Sequence, residues 1–282
     1  MDSKTKLCAV LGKPIGHSLS PAIHNAALQA KKINMVYLAF EVDDVEQAVV
    51  GMRGLGIRGY SITIPHKVAA LPLADELDSV AASIGSINTL INTDGKLKGY
   101  NTDGIGALRA IESAGVKLGG SEVTILGSGG AARAIACTLA ARTEVSRLNI
   151  LGVIEDELND LGTHVAKQSS AKIETKMLNE ESLSNALQKT QLLIHCTPIG
   201  MHPKVDDSIV PPDLLVPPLV VFDVVYNPME TRLLREAKER NCRVISGIEM
   251  FIQQAAEQFE LFTGQNAPEK VMRKVVIDHL KG

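Results

Sequence analysis

Ser18 and Ser20 stand two residues apart in a loop rich in glycine and proline, directly before Pro21 and an apolar segment. Serine followed by proline is typical of a helix start, with Ser20 as the N-cap and Pro21 at the first helical position. Two hydroxyl groups beside a helix N-terminus can also hold a carboxylate, because hydroxyls and free N–H groups both donate hydrogen bonds. The pair therefore predicts an N-cap and a candidate carboxylate site.

Lys67 follows an apolar segment, residues 57–64, which predicts a strand, and a helix can begin at Pro65 after it. Open α/β sheets bind ligands at the carboxyl ends of their strands, so Lys67 is a candidate ligand-binding cation. A solvated surface lysine is the alternative. Asp103 lies in the first turn of a predicted helix that runs to about Ala114, where the helix dipole by itself favours a carboxylate.

A glycine cluster, Gly127-Ser128-Gly129-Gly130, separates a short apolar run at 123–126 from an alanine-rich segment at 131–141. Strand, glycine turn and helix form the context in which G-x-G-x-x-A indicates a dinucleotide site. The first glycine allows a tight turn, the second lets a pyrophosphate approach the backbone, and Ala132 permits close helix packing. The pyrophosphate would bind the free N–H groups of the helix N-terminus. The alternative is a tight turn in an ordinary α/β fold.

Strands alternate with helices along the whole chain, which predicts an α/β fold of two domains. Strands are predicted at 6–11, 35–41, 57–64, 86–91, 96–100, 123–126, 146–151, 191–195, 219–225 and 243–246. Helices are predicted from Ser20, from Asp43 or Asp44 to Leu55, and at 75–83, 104–114, 131–141, 155–166, 182–189 and 229–240, with two more in 247–281. Thr93-Asp94-Gly95 is typical of a hairpin turn.

The composition excludes several classes of protein. Hydrophobic residues make up 45% and charged residues 22%, and no apolar run approaches the roughly 20 residues of a membrane helix. The N-terminus has no signal-peptide core, so we expect a cytoplasmic protein without membrane partners. Four scattered cysteines without C-x-x-C predict no metal site and no disulfide framework, and His17 and His24 are interpreted as structural. A net charge of −3 disfavours nucleic-acid binding.

Eight segments together resemble the shikimate dehydrogenase family over essentially the full length of the chain. Each is weakly specific by itself, but all occur in the family's order. They are residues 12–21 with His24-Asn25, 61–67, 88–89, 99–104, 127–132, 197–201, 223–228 and 247–255.

The resemblance implies a substrate domain at 1–103, joined by C-terminal helices at 247–282, and a Rossmann-type dinucleotide domain at 104–246. It implies reversible nicotinamide-dependent reduction of 3-dehydroshikimate to shikimate, in the chorismate pathway of aromatic amino acid biosynthesis, by a monomer or homodimer. The catalytic pair would be Lys67 and Asp103. The substrate-binding residues would be Ser18, Ser20, Thr63, Asn88, Tyr226 and Gln254. The cofactor-binding residues would be Gly127, Ser128, Gly129, Gly130, Ala131, Thr197 and Gly247.

Two departures from the family pattern affect the predicted site. Ser61 stands where the family usually has asparagine. Residues 151–156 contain no arginine where the family binds the 2′-phosphate of NADP, so the implied cofactor is NADP with NAD not excluded. Glu155 or Asp156 would repel that phosphate, whereas Arg133, Arg142 or Arg147 could reach it.

Three other functions remain open on the residues alone. The chain could be a quinate/shikimate dehydrogenase that uses NAD, because quinate shares the ring, carboxylate and hydroxyls of shikimate. A methyltransferase would also use a glycine-rich turn but would not explain Lys67 and Asp103. A non-catalytic nucleotide sensor would not need that pair either.

Overall fold

The computed structural model describes residues 1–281 and has a mixed α/β fold built on two sheets, which confirms the predicted fold class. The chain divides into two compact units. The first unit contains Met1–Thr102 and Ile252–Gly282, and the second contains Asp103–Phe251.

The first unit carries a six-stranded mixed sheet. Its elements up to residue 102 are β1 (Lys6–Gly12), α1 (Ser20–Ala30), β2 (Met35–Glu41), α2 (Val45–Leu55), β3 (Gly59–Ile62), β4 (Glu76–Leu77), α3 (Ser79–Ile84), β5 (Thr89–Thr93) and β6 (Lys96–Tyr100). The strand order is β2-β1-β3-β5-β6-β4. β5 runs antiparallel to β3 and β6, so the start of β5 lies beside the ends of β3 and β6.

The second unit carries a six-stranded parallel sheet. Its elements are α4 (Asp103–Ser113), β7 (Glu122–Leu126), α5 (Gly130–Arg142), β8 (Arg147–Gly152), α6 (Glu155–Ala166), β9 (Lys172–Met177), α7 (Glu180–Leu187), β10 (Leu192–His195), β11 (Val220–Asp223), α8 (Arg232–Glu239) and β12 (Arg243–Ser246). The strand order β12-β11-β10-β7-β8-β9 is that of a Rossmann fold. The order reverses between β7 and β10, so the loops after these strands flank the usual ligand crevice.

Two helices complete the chain, as predicted for the tail. α9 (Gly247–Thr263) begins in the second unit and ends in the first, and α10 (Glu269–Lys281) packs on α1. Within residues 1–281, no helix combines the length and apolar composition that crossing a bilayer would require.

Local signals explain the elements that were predicted correctly. Asp44 caps α2, its side chain accepting the N–H of Gln47, and Gly56 ends the helix in the left-handed conformation. Asp94 and Gly95 both have positive φ, which gives the tight turn that joins β5 to β6. Both features follow from residue types that tolerate or favour these backbone conformations.

Two predicted elements were wrong, and one strand was missed. Residues 64–70 form turns instead of a helix beginning at Pro65. The predicted helix at 75–83 is the short strand β4 followed by α3, because Asp78 accepts the N–H of Ala81 and starts the helix there. β9 was not predicted because it is an edge strand whose alternating sequence, KIETKM, contains no apolar run.

Candidate active site

The loops after β1 and β3 are joined by backbone hydrogen bonds in the first unit. The N–H of Thr63 donates to the carbonyl of Leu11 at 2.9 Å, and the N–H of Lys13 donates to the carbonyl of Ile64 at 3.0 Å. The β1 loop continues to Ser18, and the β3 loop continues to Lys67. The fold therefore brings the serine-bearing loop and the lysine-bearing loop to the same edge of the sheet.

The segment before β5 completes this edge. The N–H of Ile87 donates to the carbonyl of Lys67 at 3.0 Å, and the N–H of Ile62 donates to the carbonyl of Asn88 at 2.7 Å. Asn88 is thus fixed between the end of β3 and the Lys67 turn. Three predicted site residues, Thr63, Lys67 and Asn88, lie on adjoining segments at the strand ends.

The Asn88 side chain is buried, with 2% of its surface exposed. Its Oδ1 accepts the Thr102 N–H and the Thr89 hydroxyl, both at 2.8 Å, and its Nδ2 donates to the Thr102 hydroxyl at 2.9 Å. Asp103 follows Thr102 in the chain and is the first residue of α4, as the helix-start pattern predicted. Asn88 therefore fixes the backbone directly before Asp103.

Ser20 is not the N-cap of α1, which corrects the prediction. α1 begins at Ser20, and its N-cap is Leu19, whose αR backbone differs from the extended conformation usual at that position. The Ser18 hydroxyl instead accepts the N–H of Ser20 at 3.3 Å. The Ser18 hydroxyl therefore lies beside the backbone of Ser20 at the start of α1 and accepts an N–H there, whereas the Ser20 side chain bonds to Tyr37.

A buried chain of side chains lies beneath this edge. The Tyr37 hydroxyl donates to Ser61 at 2.6 Å, Ser61 donates to Gln258 Oε1 at 2.8 Å, and Gln258 Nε2 donates to the Thr89 hydroxyl at 2.9 Å. Ser61, where the family usually has asparagine, is the link between the tyrosine and α9. Gln254 lies one turn before Gln258 on α9, so this chain also anchors the helix that carries Gln254.

His24 belongs to the core beside this chain. Its ring stacks on Tyr37 with centroids 4.3 Å apart. Burial lowers the pKa of His24 to about 3, while the Gln258 side chain opposes this shift. Burial raises the pKa of Tyr37, and hydrogen bonds with Ser61 and Ser20 oppose the rise.

The glycine turn of the second unit follows β7 and opens α5. Gly127 has φ +110°, a conformation that disfavours any residue with a Cβ, and an added Cβ would lie 3.1 Å from the Cys196 carbonyl. At Gly129, the N-cap of α5, an added Cβ would meet nothing within 4 Å. The turn thus packs against the end of β10 on one side and presents bare backbone on the other. An exposed backbone at a helix N-terminus fits a pyrophosphate.

The two remaining predicted cofactor residues, Thr197 and Gly247, lie by the loops after β10 and β11. Thr197 follows Cys196, so it lies beside Gly127. At Gly247, the first residue of α9, an added Cβ would lie 2.4 Å from the carbonyls of both Val224 and Val225. Only glycine therefore allows α9 to start against the loop after β11.

Tyr226 is in the second unit, whereas the other predicted substrate residues are in the first. Its ring stacks on Phe251 with centroids 4.5 Å apart and an interplanar angle of 9°. Burial raises the pKa of Tyr226, so the hydroxyl stays protonated and can donate a hydrogen bond.

A buried network at the ends of β10 and β11 was not predicted. His195 Nδ1 lies 2.9 Å from Asp223 Oδ1, and His195 Nε2 lies 2.5 Å from the Thr197 hydroxyl. The Thr231 hydroxyl, which caps α8, donates to Asp223 Oδ2 at 2.6 Å. The sequence feature that could have indicated this network is a polar residue at the end of each of two apolar strands, a histidine in β10 and an aspartate in β11.

Comparison with known proteins identifies the family of this chain. The family model described as the shikimate dehydrogenase substrate binding domain matches residues 10–90, and the shikimate 5′-dehydrogenase C-terminal domain matches 247–277. The shikimate dehydrogenase (NADP⁺) of Moorella thermoacetica is 42% identical over 276 residues, covering 97% of this chain and 93% of that protein. The chain belongs to the shikimate dehydrogenase family.

Solved structures of the shikimate dehydrogenase family match both units. A crystal structure of a shikimate dehydrogenase in complex with NADP⁺ has a TM-score of 0.93 and 37% identity, covering 99% of this chain and 97% of that one. The Listeria monocytogenes shikimate 5-dehydrogenase in complex with shikimate and NAD has a TM-score of 0.93 and 34% identity, covering 98% of both chains. The two complexes thus contain different dinucleotides.

Proposed function

We propose that this chain catalyses the reversible, nicotinamide-dependent reduction of 3-dehydroshikimate to shikimate, the reaction of its family. The observation that carries the proposal is the junction at the first sheet's edge. There, hydrogen bonds tie the Lys67 turn to the segment bearing Asn88, and tie the β3 loop to the loop that leads to Ser18. A carboxylate site and a cation on adjoining loops suit a small hydroxy acid.

Ser18 and Ser20 would bind the substrate carboxylate. Ser20 is the first residue of α1, and the Ser18 hydroxyl lies 3.3 Å from its backbone nitrogen, so both serines are at a helix N-terminus, which favours an anion. Hydrogen bonds to the ring hydroxyls are assigned to Thr63, Asn88, Gln254 and Tyr226. Asn88 suits this role because its position is fixed by three hydrogen bonds, so it needs little reordering when substrate binds.

Lys67 would be the proton donor in the direction of reduction, with Asp103 as its partner. A bound nicotinamide dinucleotide supplies the hydride. As hydride reaches the carbonyl carbon, negative charge develops on the carbonyl oxygen, and the Lys67 ammonium would stabilise that charge and protonate the oxygen. Asp103 would orient the ammonium. In the reverse direction the neutral lysine would take the hydroxyl proton.

The second unit would hold the dinucleotide. Gly127, Ser128, Gly129, Gly130 and Ala131 lie at the N-terminus of α5. Thr197 is on the loop after β10, beside Gly127, and Gly247 is the first residue of α9. On this basis we assign residues 1–103 with 247–282 to substrate binding and 104–246 to dinucleotide binding. A cytoplasmic location completes the proposal.

Absorbance at 340 nm during oxidation of shikimate or quinate, each with NADP and with NAD, tests the function. Shikimate should give reduced cofactor with a higher kcat/KM than quinate. A higher kcat/KM for quinate would make the chain a quinate dehydrogenase instead. Turnover of neither acid, together with retained dinucleotide binding, would favour the non-catalytic sensor, and binding of S-adenosylmethionine would favour a methyltransferase.

A further inference from the structure

In a Rossmann fold, residues just after the second strand bind the adenosine ribose, and here that strand is β8. The residues after β8 in this chain do not suit a 2′-phosphate on that ribose. The strand ends at Gly152, and Val153 and Ile154 follow it with exposed side chains. Discrimination in favour of a 2′-phosphate normally needs a nearby arginine or lysine, because the group carries close to two negative charges at neutral pH. Two apolar side chains offer neither charge nor donors.

The first turn of α6 carries three successive carboxylates instead, Glu155, Asp156 and Glu157. Among these, the structure distinguishes Glu157, because the Ser128 hydroxyl of the glycine turn donates to its Oε2 at 3.0 Å. Ser128 also lies against the end of β8, since a Cβ added at Gly152 would be 3.2 Å from the Ser128 oxygen. Glu157 is thus held at the junction of the glycine turn and β8, where the ribose is expected.

The arginines that could have replaced the missing cation are placed elsewhere. Arg147 is the first residue of β8, about 17 Å along the strand from Gly152, and it pairs with Glu122 and Glu174. Arg142 is the last residue of α5, about 18 Å from its N-terminus. Arg133 lies in the first turn of α5, where its guanidinium pairs with Asp160 of α6.

From these contacts we infer that the family's preference for NADP is absent here, with NAD used at an equal or higher kcat/KM and Glu157 accepting a ribose hydroxyl. A carboxylate has about four acceptor positions, so Glu157 can accept the 2′-hydroxyl while it holds Ser128. A 2′-phosphate at the same place would meet the like charge of Glu157, in a helix turn that carries two further carboxylates. Arg133 and Arg147 are engaged by other carboxylates, and Arg142 is at the far end of α5. The inference rests on the proposed function only in assigning the glycine turn to a nicotinamide dinucleotide.

Fragment binding tests the ribose contact without requiring turnover. Isothermal titration calorimetry would compare 5′-AMP with adenosine 2′,5′-bisphosphate, first on the wild-type chain and then on Glu157→Gln. The wild-type chain should bind 5′-AMP at least as tightly as it binds adenosine 2′,5′-bisphosphate. Glu157→Gln should shift the affinity ratio toward the bisphosphate by about tenfold, the size of one charge-assisted hydrogen bond.

Glu239→Gln is the matched control. It removes the same charge from the last residue of α8, which ends near the start of β12 and therefore at the opposite edge of the sheet. The ratio should not change in this variant. A changed ratio in Glu239→Gln, or an unchanged one in Glu157→Gln, would overturn the role of Glu157.

Kinetics with saturating shikimate provide the second measurement, as kcat/KM for NAD and for NADP. An NADP preference beyond about 100-fold, some 2.7 kcal/mol, would overturn the inference. It would point to Lys176, which lies beside Leu151 of β8, as the cation that binds the phosphate. If the wild-type chain bound 5′-AMP but did not oxidise shikimate, the proposed function would be contradicted, whereas the inferred ribose contact would not be affected.

Discussion

His195 and Asp223 form a hydrogen bond of 2.9 Å at the ends of two adjacent parallel strands, with each side chain only 1% exposed. The carboxylate of Asp223 also accepts the Thr231 hydroxyl at 2.6 Å and the N–H of Val225 at 3.0 Å. His195 in turn holds Thr197 through its other ring nitrogen. One buried carboxylate therefore fixes the loop after β11 and the start of α8, and through His195 the loop after β10.

Asp223→Asn should destabilise the second unit. The amide keeps the shape but has one acceptor oxygen, so its NH₂ group must face a donor that the carboxylate had accepted. Leaving a buried polar group unsatisfied costs about 1–3 kcal/mol, which urea unfolding would measure. Asp213→Asn, on an exposed short helix, is the control and should stay within about 0.5 kcal/mol of wild type. A wild-type midpoint for Asp223→Asn would show that the network contributes little.

How far the sequence predicts the site depends on whether the signal is local. The glycine turn, the Asp44 cap and the Asp94-Gly95 hairpin were predicted because a few neighbouring residues determine each backbone conformation. The Tyr37–Ser61–Gln258 chain was not, since its members are 24 and 197 residues apart and meet only through tertiary packing. The contact between Ser128 and Glu157 was not predicted for the same reason, since these residues are 29 positions apart.

Stability should depend on pH through His24. Burial lowers its pKa from 6.5 to about 3 in the folded chain, so below pH 6.5 the unfolded chain binds a proton that the folded chain does not. The stability that the folded chain has with neutral His24 is fully present above pH 6.5, and it decreases as the pH falls toward 3. The free energy of unfolding should fall by up to about 1.4 kcal/mol per pH unit in this window.

His24→Phe keeps an aromatic ring against Tyr37 and removes the titrating group. Urea unfolding at pH 7, 6 and 5 should therefore show a flatter pH dependence for this variant than for wild type. His279→Asn, on the exposed face of α10, should keep the wild-type slope. Equal slopes for wild type and His24→Phe would assign the acid sensitivity to other groups.

Ser18→Ala and Ser20→Ala should mainly raise the KM for shikimate. A carboxylate far from the reacting carbon is held about equally in the ground and transition states, so its loss leaves kcat nearly unchanged. Each lost hydrogen bond to a charged group should cost about 1.5–3 kcal/mol. Because Leu19 is the N-cap of α1, Ser20→Ala should not lose a side-chain cap. Steady-state kinetics would check this, with Ser170→Ala as the control.

An unchanged KM in the Ser18→Ala, Ser20→Ala double variant would place the carboxylate elsewhere. Ser20 also contacts the Tyr37 hydroxyl, so the thermal midpoint of each variant should be measured first. A raised KM with a wild-type midpoint would assign the effect to substrate binding.

Lys67→Ala should remove most of the turnover while shikimate binding changes little. The ammonium acts on charge that develops only in the transition state, so its loss should lower kcat and kcat/KM together. General acid–base catalysis typically contributes about 10²–10⁴-fold, which sets the expected loss. Lys67→Arg keeps the positive charge but donates a proton poorly, because arginine stays protonated, so it should recover only part of the rate.

Lys274→Ala, whose side chain is 74% exposed on α10, is the control and should keep wild-type kinetics. Wild-type kcat in Lys67→Ala would exclude the proton-donor role, and a raised KM with unchanged kcat would make Lys67 a binding residue instead.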